Sequence, residues 1–252
     1  MDLALATLLL LLAAFIFVML GQGGGMVYVP VLLWLGFDLK EVAIPLGLLL
    51  NGLTTALALI PYGRQGLIHW RGLWPMGLAA VIGAPLGAAL VPYIPQQTLV
   101  QIFAAMVMIA AIKTLWTNLR HKNRVEREEH SPWHLPVSVL LGGLIGVLAG
   151  MLGIGGGFLF MPLLLWLGYP TKRAAAGAAL VVTFASFSGF LGHVAQGHFP
   201  LLITSLGIVA VLIGSQAGAR FMIQKANPRH VKILYGIVLL GIFAKLATKA
   251  FA

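Results

Sequence analysis

Long apolar runs separated by short polar breaks set the pattern of this chain, at residues 3–20, 42–60, 73–91 and 99–116, then at 135–152, 174–191, 201–223 and 231–247. About twenty apolar residues span a hydrocarbon core about 30 Å thick. Each run therefore predicts a membrane-spanning helix, and together they predict an all-α polytopic membrane protein. Within each set a shorter apolar piece, 26–35 or 158–167, lies between the first two runs and follows directly on a run of glycines. A ten-residue helix reaches only about 15 Å, so each piece is expected as part of a broken or re-entrant hairpin.

The two sets are copies of one another. GQGGGMVYVPVLLWLGF at 21–37 returns as GIGGGFLFMPLLLWLGY at 153–169, with ten of seventeen positions identical at an offset of 132. A fainter echo at an offset of 131 pairs GAPLGA at 83–88 with GSQAGA at 214–219. Duplication within an apolar chain is the pattern of transporters built from repeats. It divides the chain into a first membrane repeat over 1–116, a polar linker over 117–134 and a second membrane repeat over 135–252.

Composition excludes a water-soluble fold, because 60% of the residues are hydrophobic and 9% charged, which would leave large apolar patches in water. The net charge of +10 comes from basic residues spread over short loops, where they orient a protein in the bilayer and indicate no nucleic acid. If each repeat crosses the membrane an even number of times, seven Lys and Arg face nine across the bilayer. If the glycine run folds the first segment back, so that the count is odd, the division becomes thirteen against three, with Lys40, Lys245 and Lys249 alone on the minor side. The second arrangement obeys the cytoplasmic excess of basic residues. It makes the repeats inverted, with the linker in the cytoplasm and both termini outside it. Asp2 stands where a signal peptide carries basic residues, so a removed leader is not expected. With no Cys in the chain, disulfide and thiol chemistry are unavailable.

Irregular backbone at membrane depth survives only against protein or a wet cavity, because hydrocarbon satisfies no N–H or C=O group. A helix starting from such a loop turns free N–H groups and the positive end of its dipole toward the cavity. The runs Gly21, Gln22, Gly23, Gly24 and Gly25, and Gly153, Gly155, Gly156 and Gly157, are therefore candidate ligands for an anion. Close helix packing is the expected role of the glycines spaced four apart, Gly83 and Gly87, Gly142 and Gly146, and Gly214 and Gly218. No Gly-Lys-Ser/Thr follows either run, which argues against a nucleotide phosphate loop.

The GxGGGxxxxPxL pattern, present twice and opening each half of a hydrophobic chain of this length, resembles the TauE/SafE family. The resemblance covers essentially the whole chain. It implies export of a small sulfur oxyanion, sulfite or an organosulfonate, without fixing which one. Gln22 departs from the symmetry, since the second repeat carries Ile154 there, so the two loops need not contribute equally.

Asp2, Asp38, Glu41, Glu126, Glu128 and Glu129 are all the carboxylates, and none lies within an expected span. That leaves no intramembrane carboxylate for a proton relay or a sodium site. An inside-negative potential drives each negative charge outward by about 2.3 kcal/mol per 100 mV, so uniport by alternating access at the repeat interface is the simplest mechanism. Proton- or sodium-coupled transport, with His69, His193 and His198 as carriers, and an anion channel are the alternatives. Among polar residues in the spans, Asn51 and Thr54 align with Thr183 and Ser186, and Gln216 replaces the repeat-related Pro85. These five are further substrate candidates. Arg220 reads as a snorkelling helix-end residue, with attraction of anions to the cytoplasmic mouth as the alternative. The absence of HExxH, paired carboxylates or a Ser–His spacing argues against an enzyme, and no catalytic residue, metal or cofactor is expected. The expected partners are the bilayer and the small anion, with a homodimer left open.

Overall fold

The computed structural model describes residues 3–68, 70–120, 134–167, 169–195, 197–224, 233 and 236–245. His69, most of the charged linker and the two ends of the last expected span lie outside them. The described chain is helical, in the order α1 (Leu3–Val18), α2 (Gly25–Trp34), α3 (Ile44–Arg64), α4 (Trp70–Leu90), α5 (Gln96–Arg120), α6 (His134–Leu152), α7 (Gly157–Trp166), α8 (Thr171–His193) and α9 (Leu201–Gln224). A final apolar helix, α10, covers Gly236–Lys245. These bounds follow the apolar runs to within a few residues, although α5 continues to Arg120, inside the stretch read as linker.

Local chemistry explains the ends. Asp38 caps the π-helical turn Leu39–Ala43 by accepting bonds from the N–H groups of Lys40 and Glu41, and Pro45 then sits in the first turn of α3, where its missing N–H costs nothing. Helix α4 shows which solvent the fold is built for. Its protein-facing side is Leu73, Met76, Ala80, Ala84 and Ala88, while Leu78, Ile82 and Leu86 are exposed. From Ala80 onward, small residues inside and large aliphatic residues outside invert the soluble pattern, and close approach of helices in lipid needs such small residues at the interface. The chain is a polytopic membrane protein.

The helices pack by exchange between the repeats. Helix α4 of the first repeat packs along α6 of the second, and α1 of the first packs along α9 of the second. Both pairs run parallel, since Gly142, Gly146 and Gly150 face Met76, Ala80 and Ala84 in order, and Gly214 and Gly218 face Leu11 and Phe15. The contacts are reciprocal. Gly83 and Gly87 meet the backbones of Gly143 and Val147, and their repeat-related partners Gly214 and Gly218 meet Leu11 and Phe15, the counterparts of Gly143 and Val147. A Cβ on any of these four glycines would overlap the opposing backbone, so glycine sets the interhelical distance.

Helices α3 and α8, which are repeat-related to each other, cross at the centre and run in opposite directions. Leu48 meets Gly189, Asn51 meets Ser186 and Thr55 meets Thr183. The crossing puts the C-terminal end of α3 beside the N-terminal end of α8. Charges separate accordingly: Arg64, Arg220 and Lys172 gather at one end, where Lys172 Nζ donates to the Ile223 carbonyl. Asp38, Lys40 and Glu41 occupy the other end, where the His198 N–H donates to the Glu41 carbonyl.

Candidate functional site

The two glycine runs pass across each other in the middle of the helix bundle, and their contacts repeat the exchange seen in the helices. A Cβ on Gly25 would press on the backbone of Ile154, and one on the repeat-related Gly157 would overlap the backbone of Gln22, the counterpart of Ile154. Gly23 and Gly155 have φ of +65° and +66°, a conformation that L-residues with a side chain rarely adopt. Every residue from Gly21 to Gly25 and from Gly153 to Gly157 is buried. The N–H groups of Gly23, Gly24, Gly155 and Gly156 donate to no acceptor among the described residues. Buried backbone donors are almost always paired, so four such groups at one crossing set it apart from the rest of the fold.

Asn51 stands between the two runs. Its Oδ1 accepts from the Gly25 N–H at 2.9 Å, and its Nδ2 donates to Ser186 Oγ at 2.9 Å. A side chain on Gly23 would overlap one end of this carboxamide and a side chain on Gly155 the other. One fully buried amide therefore ties α3, α8 and both loops together, and it takes the Gly25 N–H that the helix start would otherwise offer to an anion. Ser186 accepts the bond and keeps its own proton for another partner. Gln22 is buried, with 7% of its surface exposed, and its Oε1 has no hydrogen-bond partner among the described residues. Its counterpart Ile154 has no polar group, so the crossing is chemically one-sided.

The two threonine candidates are already engaged. Thr54 Oγ1 donates to the Leu50 carbonyl at 2.7 Å and receives the Tyr28 hydroxyl at 2.8 Å. Thr183 Oγ1 lies 2.7 Å from the Ala179 carbonyl and 2.9 Å from Thr55 Oγ1, which in turn lies 3.0 Å from the Asn51 carbonyl. Bonding to the preceding turn is the usual fate of a membrane Thr, and in this arrangement Thr54 and Thr183 hold helices rather than offer a proton. Tyr28 was not legible as part of this network, because a Tyr in an apolar run reads as packing.

Gln216 stands apart from the crossing. Its Nε2 donates to the Leu57 carbonyl at 2.8 Å. That carbonyl is the one left unpaired four residues before Pro61, which has no N–H to offer it. The same device recurs on α4 of the same repeat, where Ser188 Oγ of α8 donates to the Val81 carbonyl at 2.6 Å, four residues before Pro85. A proline inside an expected span is the sequence signal that could have pointed to both partners. The helices leading into the glycine runs are also matched: Tyr62 Oη donates to the Val18 carbonyl at 3.0 Å, and His193 Nε2 pairs with the Gly150 carbonyl at 2.8 Å. Val18 and Gly150 are repeat-related. His193 is buried, its ring tied to backbone. Lys245 Nζ lies 4.0 Å from the centre of the Trp34 ring, within cation–π range.

Among known proteins, a family model described as sulfite exporter TauE/SafE matches residues 6–246. A probable membrane transporter protein of Methanocaldococcus jannaschii is 24% identical over 260 residues, covering 94% of this chain and 95% of its own length. Another protein of that description, from Bacillus subtilis, is 26% identical over 275 residues, covering 98% and 97% of the two chains. No solved structure matches the chain.

Proposed function

This chain belongs to the TauE/SafE family of sulfite exporters, and from that premise we propose that it carries a small sulfur oxyanion, sulfite or an organosulfonate, out of the cell across a bacterial inner membrane. The observation that carries the reading is the crossing of the glycine runs, which holds four buried N–H groups without acceptors among the described residues, the Asn51–Ser186 pair and the buried Gln22. Backbone N–H groups presented by glycines are suited to an oxyanion, since nothing on the α-carbon keeps the anion away. The starts of α2 and α7 add the positive ends of two helix dipoles at the same place.

In this reading the two repeats are inverted about an axis in the membrane plane. A two-fold axis along the membrane normal would leave repeat-related spans parallel, whereas α3 and α8 run in opposite directions where they cross. The glycine runs with α2 and α7 then serve as broken or re-entrant hairpins, each short helix about 15 Å long and ending well within the bilayer. The end bearing Arg64, Lys172 and Arg220 is cytoplasmic, in keeping with the positive-inside tendency. Alternating access follows if one repeat rocks against the other about the crossing. The described carboxylates, Asp38 and Glu41, lie ahead of α3 and outside the crossing, and the membrane potential supplies the driving force in a uniport mechanism.

The test is sulfite efflux from proteoliposomes under an imposed potential. Flux that follows the potential is expected; an absence of flux with sulfite and with organosulfonates overturns the substrate class.

A further inference from the structure

We propose that Arg64 and Arg220 form a second anion site, an antechamber to the crossing, which receives a compact oxyanion before it reaches the glycine loops. The proposal deepens the transport reading and rests on it for the word antechamber, although the site itself stands on separate observations. Where α3 loses its backbone bond at Pro61, Gln216 on α9 pins the freed Leu57 carbonyl and holds the C-terminal ends of α3 and α9 together. Beside this pin an open cleft of about 110 Å³ remains, lined by Arg64, Gln65, Gln216, Arg220 and Gln224 with apolar side chains between them, the two arginines themselves exposed. Sites for drug-sized ligands occupy roughly 300–1,000 Å³, so this one suits an anion of a few heavy atoms.

The charge balance favours an anion. The two helix C-termini bring about half a negative charge each and the two guanidinium groups a full positive charge each, leaving the cavity with about one net positive charge. An arginine at a single helix end answers the dipole of that helix and needs no ligand. Here two arginines from different helices share one cavity, with three carboxamides as further donors, and the described carboxylates Asp38 and Glu41 lie beyond the opposite end of α3. Guanidinium pairs oxyanions through two parallel hydrogen bonds, which makes it the suited side chain for sulfite, sulfonate or phosphate groups. Arg64 lies thirteen positions beyond Asn51 on α3, about 20 Å of helix. The antechamber is therefore a separate site from the crossing. The same chemistry would hold the phosphate of an anionic lipid headgroup, and the experiment separates the two sources.

In this naturally Cys-free chain a Gln224→Cys variant reports on the cavity alone. The protein is held in nanodiscs of zwitterionic lipid, and its modification by a water-soluble maleimide is timed with sulfate or with chloride at equal ionic strength. At sulfate ten times its dissociation constant, modification slows about tenfold by mass action, chloride gives no such slowing, and R64Q/R220Q abolishes it. Equal rates with sulfate and chloride, or slowing that survives R64Q/R220Q, would overturn the site. Slow modification without sulfate in nanodiscs containing phosphatidylglycerol, relieved by R64Q/R220Q, identifies a lipid phosphate as occupant and overturns the antechamber. Sulfite flux measured on the same preparations keeps the two readings apart. Arginine-dependent protection without flux sinks the transport reading, and flux without protection sinks the antechamber.

Discussion

Asn51 Nδ2 and Ser186 Oγ, 135 positions apart in sequence, are joined at 2.9 Å where the two repeats cross. Asn51 holds a loop of its own repeat through Gly25 and a helix of the other through Ser186. It is therefore the residue whose loss is felt on both sides of the crossing.

Asn51→Leu leaves the Gly25 N–H buried without its acceptor, at a cost of about 1–3 kcal/mol, and lowers the unfolding temperature in detergent. Asn51→Asp keeps the acceptor but adds a negative charge beside the donors proposed for the anion, so sulfite flux falls further than stability does. Normal flux through a folded Asn51→Asp protein would move the anion site away from the crossing.

Gln216→Leu orphans the Leu57 carbonyl, and stability drops by about 1–3 kcal/mol. Pro61→Ala restores an N–H for that carbonyl within α3. In a double-mutant cycle by thermal or denaturant unfolding, Pro61→Ala makes Gln216→Leu milder, with a coupling of about 0.5–3 kcal/mol. Purely additive effects would show that Gln216 does not serve the proline.

Gly87→Ala and Gly218→Ala press on the Val147 and Phe15 carbonyls in two reciprocal helix pairs. Each is expected to cost about 1–3 kcal/mol through overpacking, with similar losses of folded yield and little change in the substrate concentration giving half-maximal flux. Gly24→Val and Gly156→Val act differently, since the first drives a side chain into the Tyr28 ring and the second forces one at φ +72° against Ile145 and Phe160, each distorting a loop residue whose N–H lacks an acceptor among the described residues. Those variants insert into the membrane and lose transport.

Lys40→Cys and Lys172→Cys, at opposite ends of the bundle, should react from opposite sides of the membrane with an impermeant thiol reagent. Labelling of Lys172→Cys from the cytoplasmic side is the expected sense. Same-side labelling would remove the inverted arrangement.

With the potential clamped at zero by valinomycin and equal potassium, a proton or sodium gradient alone should drive no concentrative uptake of a fully ionised organosulfonate. Uptake under those conditions would replace uniport with coupled transport.

The sequence by itself determined the helices and their duplication. An apolar run of membrane length has one economical structure, because only a helix pairs its own backbone in lipid, and the repeated GxGGG and Pro30/Pro162 positions are visible without coordinates. It also separated the packing glycines from the loop glycines by spacing. Which helices become neighbours was not legible. In α4 the buried Ala80 and Ala84 and the exposed Leu78 and Ile82 are all apolar, so hydropathy does not tell the protein face from the lipid face. The pairing of α1 with α9 and α4 with α6 is set by shape, glycine against backbone, and shape belongs to two surfaces rather than to one segment. For the same reason Asn51 is legible as a candidate but its bond to Ser186 is not, and Gln216 reads as a ligand in sequence although its partner is a carbonyl freed by a proline 155 positions away. Only the tertiary structure decides such partners, because a polar group buried in a membrane protein takes whichever unpaired group the packing brings within reach.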